Sequence, residues 1–318
     1  MIKISILLTI ILALISQDLF AQKLQRLPLQ KREFELKSPT IWSKRVIKVD
    51  PVTNEEVTYD PKPKIEWANA KAGKYNLKWI GYDGKEKVIV FQRPDCVDIV
   101  ISALITRSTD SYQYKYNVRS LATSGDYLLG FAVQNFSSVV LPKRPSGAND
   151  IFIGDMTSGI FGADGGNWIL LAPLSPPHFK VQPGQSIKFN LSSPSLPGLV
   201  KCRVRGGKFG TLGVGEDMPE ELGESLGELS YEAWPTGYTI GPVDKLTNFS
   251  KSERANYVLE LLPQFQKLGW MTAKASQQYE KFLRNQDLEG AYKRAEQDLK
   301  VGAITSEILS ILQGLQTK

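Results

Sequence analysis

His178 is the only histidine, set in Pro176-Pro177-His178-Phe179. A histidine-rich zinc site is therefore excluded, and HExxH is absent. Carboxylate-only metal sites stay open; Asp155, Asp164 and Asn167 share a glycine-rich stretch and could ligate calcium. Turn-forming Asp and Asn explain the same stretch without a metal. Gly223-Glu224-Ser225-Leu226-Gly227 matches the G-x-S-x-G elbow, yet the preceding Met218-Pro219-Glu220-Glu221-Leu222 is no buried strand. His178 also comes before Ser225, against the hydrolase order. Cys96 or Cys202 with His178 would make a thiol nucleophile pair, but both cysteines sit in strand-like surroundings. A glycosidase needs only two carboxylates, for which Glu220, Glu221, Glu224 and Glu228 are candidates; a charged linker explains them as well. Gly206 to Gly215 is glycine-rich but lacks the phosphate-loop lysine pattern. Tyr112, Tyr114 and Tyr116 could stack sugars on an open sheet face. Their alternation with Gln113, Lys115 and Asn117 favours an inward-facing row, and Trp79 and Trp168 read as core anchors. No residue set commits the chain to catalysis, a cofactor or a metal.

Charge points to partners. The net charge is +6. Lys23, Arg26, Lys31 and Arg32 lead a basic arm that could contact an anionic surface. Glu216 to Glu232 is acidic without a base. Carbohydrate, an anionic envelope surface or another exported protein are the partners this supports. Nucleic acid is not expected.

The first 21 residues read as a signal peptide: Lys3, an apolar run from Ile4 to Ile15, and a cleavage site at Ala21. Secretion or a periplasmic location follows as an expectation, with no transmembrane segment after cleavage. In an exported chain, Cys96 and Cys202 raise a disulfide that would close a loop of ~100 residues, worth up to ~4.7 kcal/mol by chain-entropy reasoning. Strand phase argues both ways. Cys202 shares a face with Val200 and Val204, whereas Cys96 lies opposite Val97, Ile99 and Ile101 unless the strand begins after it.

The elements that must position these residues change along the chain. Residues 22–74 form a basic, proline-punctuated segment, with Asp60-Pro61-Lys62-Pro63-Lys64 as an extended linker. From Tyr75, short alternating runs separated by Gly, Pro, Asn and Asp predict a β-sandwich over 75–207, with a hairpin at Asp83-Gly84. Residues 208–247 read as a Gly- and acid-rich linker. Residues 248–318 carry helical spacing in four stretches: Ser250 with Glu253 makes a capping box, and Thr272, Asp287 and Thr305 can cap the rest. Gly269-Trp270-Met271-Thr272 recurs as Gly302-Ala303-Ile304-Thr305, which predicts two similar helix junctions in a four-helix bundle.

Two resemblances follow from these motifs. Tyr112-Gln-Tyr114-Lys-Tyr116-Asn-Val118, Gly130-Phe131-Ala132-Val133 and Pro183-Gly184 through Ser193 resemble immunoglobulin-like modules of exported bacterial proteins. The antibody-type Cys…Trp…Cys pattern is missing, so the likeness carries architecture and no site residues. Gly269, Thr272, Gly302, Thr305 and the leucine spacing resemble the FIMAH-type helical module at the C-termini of exported hydrolases and surface proteins. It implies an accessory role. The expectation is a mainly β protein with a C-terminal α module, acting as an exported, non-catalytic binding or envelope-interaction protein. A carbohydrate-active hydrolase and a structural envelope component are the alternatives.

Overall fold

The computed structural model describes residues 28–30, 46–49, 52–69, 74–93, 96–134, 136, 151–156, 168–173, 180–207, 218–220, 222–223 and 234–316. The expected signal segment and the arm residues Lys23, Arg26, Lys31 and Arg32 lie outside them. The described chain is mainly β, with four helices at its C-terminal end.

In chain order the strands are β1 (Val46–Val49), β2 (Glu56–Tyr59), β3 (Lys64–Asn69), β4 (Lys74–Ile80), β5 (Glu86–Gln92), β6 (Ile99–Arg107) and β7 (Tyr112–Ser120). Then come β8 (Leu128–Gln134), β9 (Ile151–Met156), β10 (Trp168–Pro173), β11 (Ser186–Ser193), β12 (Leu196–Gly206) and β13 (Thr236–Val243). They form a β1–β2 pair, a three-stranded sheet β3-β4-β5, a second three-stranded sheet β11-β7-β6, and a five-stranded sheet β13-β12-β8-β10-β9. All pairings within these sheets are antiparallel.

The tyrosine alternation on β7 turns inward, as its period predicts. Tyr114 and Tyr116 are buried, and Lys115 and Arg119 are exposed. The Tyr116 ring meets Phe131 of β8 edge-on at 5.3 Å, and Phe131 lies 5.9 Å from Phe189 of β11. The Tyr114 hydroxyl donates to the Ser195 carbonyl (2.7 Å) and the Tyr116 hydroxyl to the Ile240 carbonyl (2.8 Å). Each ring thus spans the core between the β11-β7-β6 sheet and the β12–β13 side of the five-stranded sheet. Its polar tip is satisfied where it lands.

β3, β4 and β5 have a core of their own: Ile65, Tyr75, Leu77 and Trp79, with Leu222 and Met218 packed on it. β3 begins inside the segment expected to precede the sandwich. The proline-rich stretch before it is tied down by two hydrogen bonds. Asp60 Oδ1 accepts from the Lys62 N–H (3.1 Å), and the Pro61 carbonyl accepts from Ile80 (2.7 Å). The Asp83-Gly84 turn forms as expected, with Gly84 at φ +71°.

β13 falls within the range expected to be a linker. Glycine and proline hide it from a propensity reading, yet both suit its place. β13 is an edge strand, where Pro242 omits no ladder bond that the sheet requires. Gly237 allows Leu29 to lie against it; a Cβ there would collide with the Leu29 side chain.

The helices are α1 (Lys251–Lys267), α2 (Ala273–Arg284), α3 (Leu288–Lys300) and α4 (Ser306–Leu315). Ser250 and Glu253 form the full capping box on α1, and Thr272 and Asp287 cap α2 and α3 through Ala275 and Gly290. Thr305 makes no side-chain cap bond to α4. The repeated junctions pair with each other: Met271 bridges Ile304, Thr272 N–H donates to Ala303, and Thr305 N–H donates to Trp270. Gly269 and Gly302 supply the left-handed turns, at φ +66° and +73°.

Candidate functional site: an aromatic row on the small sheet

Three rings lie in register across β3, β4 and β5. Trp67 is opposite Tyr75, and Tyr75 is opposite Phe91. Trp67 stacks on Tyr75 with centroids 4.2 Å apart and planes 25° apart, while Tyr75 and Phe91 are 6.3 Å apart. Such cross-strand pairs stabilise a sheet face by roughly 0.2–1 kcal/mol each. Tyr75 is fully buried in this row, yet Trp67 remains 41% exposed. β3 is an edge strand, so Trp67 has no further strand beside it. The β3–β4 register shifts between Trp67 and Asn69. A bulge at a sheet edge re-aims the local side chains. Indole, backed by a second ring and open on its outer side, is a surface onto which the apolar C–H face of a sugar can stack.

Trp67 shares its face with the buried Ile65, Tyr75, Leu77 and Trp79, and the opposite face of the sheet is open to solvent. Lys78 and Glu66 form an ion pair at 2.6 Å. Lys78 holds the Glu66 carboxyl below its ordinary range, and Glu66 raises the lysine in turn. The pair is exposed and contributes little to stability.

The residues singled out from sequence are placed differently. Tyr112, Tyr114 and Tyr116 are core, so they offer no sugar platform. Trp79 is buried on the small sheet and Trp168 on the five-stranded sheet, as anchors. Arg203 lies over the Trp168 ring at 4.4 Å. Cys202 is fully buried on β12 and Cys96 half-buried ahead of β6; both are thiols in this structure. Burial pushes the Cys202 thiol well up, which removes it as a nucleophile at neutral pH. Among the described residues no group of three or more His, Cys, Asp or Glu could hold a metal ion. The side chain of Asp155 lies outside what is described, as do residues Asp164, Asn167, His178, Ser225, Glu221, Glu224 and Glu228. Glu220 is described and exposed. Among the described residues no helix is long and apolar enough to cross a membrane.

Trp67 is the residue that sequence reasoning missed. Ile65 and Trp67 alternate with Lys64 and Glu66, a strand signal of only two apolar positions, and the flanking prolines mask it. No protein-family model and no curated protein matches the chain.

Proposed function

We propose that the chain is an exported binding protein that presents Trp67 to carbohydrate. The observation that carries this reading is the half-open indole, stacked in register on Tyr75 at the edge of its own small sheet. Tryptophan suits a contact surface because its ring joins a large apolar area to a polar tip. The signal-like first 21 residues support export. The inter-sheet tyrosines and the glycine turns support an immunoglobulin-like sandwich. The paired Gly-x-x-Thr junctions support a FIMAH-like accessory module.

The test is a glycan array with the mature chain at low and high salt, repeated with Trp67→Ala. Stacking on an apolar face predicts salt-resistant binding to particular sugars. Trp67→Ala should weaken it about tenfold or more, equivalent to ~1.4 kcal/mol. Its melting temperature should shift little, because the ring is part exposed. Unchanged affinity in the variant, or no glycan bound by the wild type, would sink the proposal.

A further inference from the structure

Several sheet edges carry a device that refuses another strand. α4 covers the β6 edge through Glu307 and Ser310. Gln30 and Phe136 bridge onto β13. Lys188 stands mid-strand on β11, and β3 has flanking prolines and a register shift. Coverage, lysine, proline and bulges all blunt an edge. β5 has none of them. Among the described residues it pairs only with β4, without a register shift. Its centre, Val88-Ile89-Val90-Phe91, is β-branched and aromatic, with no charge, glycine or proline. Val88 is 50% exposed and Val90 59%.

The direction of the β5 backbone groups follows from the register. Ile80 lies opposite Glu86, and its N–H donates away from β5, to the Pro61 carbonyl (2.7 Å). In an antiparallel pair, bonded and non-bonded positions alternate. Trp79 and Lys87, the next pair, therefore exchange the ladder bonds, and Lys87, Ile89 and Phe91 turn their backbone groups to β4. Glu86, Val88 and Val90 aim theirs at the open edge.

We infer that β5 pairs with β5 of a second copy, antiparallel about a two-fold axis at Ile89. The run Val88-Ile89-Val90 reads the same in both directions. About that axis Ile89 meets Ile89, and Val88 meets Val90 on either side. Each valine pair exchanges both backbone bonds between groups already aimed outward. Charge selects the same arrangement. Lys87 comes opposite Phe91, and Glu86 opposite position 92, a glutamine, so within β5 no like charges are opposed. Parallel pairing in register would set Glu86 beside Glu86 and Lys87 beside Lys87, which destabilises a sheet. A strand of unrelated sequence meets only the backbone groups; a second copy also matches the side chains of both faces. The pairing joins two three-stranded sheets into one, with β3 at each outer edge. Trp67 stays open there, and the inference does not rest on sugar binding.

Sedimentation equilibrium of the mature chain over a dilution series tests this. The expected result is a reversible monomer–dimer equilibrium. Val88→Lys/Val90→Lys sets like charges across both valine pairs and should weaken the dimer about tenfold or more. Val88→Lys/Val90→Glu sets opposite charges across the same pairs and should restore much of the association. Loss of apolar area alone would weaken both variants equally. Both positions are exposed, so circular dichroism and melting temperature should stay near wild type. Val52→Lys, at a valine 90% exposed elsewhere, should change the dimer constant less than about twofold. Trp67→Ala should also leave it unchanged, so this inference and the sugar reading fail separately. A monomer at every concentration, growth beyond the dimer, a dimer indifferent to the two lysines, or equal weakness of both double variants would overturn the inference.

Discussion

Glu307 and Ser310 do work at a sheet edge that a strand ordinarily does. β6 is the outer strand of its sheet, so alternate N–H groups have no ladder partner. The Ala103 N–H donates to Glu307 Oε1 at 2.7 Å, and the Ile105 N–H donates to Ser310 Oγ at 3.4 Å. Ser306 Oγ donates back to the Ala103 carbonyl at 3.4 Å. Glu307 is 1% exposed, so water cannot take its place. Glu307→Ala should lower unfolding free energy by about 2–4 kcal/mol, since it leaves a buried donor unpaired and opens space. Glu307→Gln keeps an acceptor and should cost less. Denaturant melts of both variants check this; equal and small losses would mean that the edge is hydrated.

At the scale of the element, helix ends were readable because caps are local chemistry. Ser250 accepts from the Glu253 N–H, and Glu253 Oε2 accepts from the Ser250 N–H at 2.7 Å. Ser250→Ala should destabilise by about 1 kcal/mol with an unchanged denaturant slope. A larger loss would show that Ser250 contributes beyond the cap. Thr305 departs from its counterpart for a tertiary reason. Both threonines donate a backbone N–H across the paired junctions, but the helix that Thr305 begins is drawn onto β6. The repeat in sequence is thus a pairing in space, yet its two halves have different neighbours. Strands were legible where alternation ran long, as on β7. They were not where only two apolar residues showed, as on β3, or where glycine and proline served close packing, as on β13.

Over the whole molecule, one continuous hydrophobic cluster runs from β6 and β7 through β8, β12 and β13 into all four helices. The Leu199 N–H donates to Tyr257 of α1 at 2.9 Å. A Cβ on Gly314 of α4 would collide with Pro197. Residues 28–30 close the other gap: the Leu29 N–H donates to Ile99 of β6, and Gln30 exchanges both backbone bonds with Thr236 of β13. The helical module therefore completes the β core rather than trailing from it. A chain ending at Asn248 should be insoluble or associate through β6, because truncation bares both apolar surface and an unpaired edge. Size-exclusion chromatography and far-UV circular dichroism check this; a monomeric truncation with native strand signal would contradict it.

Local features were legible in the chain: the alternating strand β7, the Asp83-Gly84 turn, the caps at Ser250, Thr272 and Asp287, and the repeated junction. Each depends on residues within a few positions of one another. Which aromatic stays open depends on packing between layers. Tyr114 and Trp67 have similar alternating contexts, and exposure depends on whether another layer lies above. That packing also decided that Glu307 serves a strand 204 residues away, and that Leu29 lies against Gly237 of β13. Those relations are set by register and layer packing, which no short window of sequence contains.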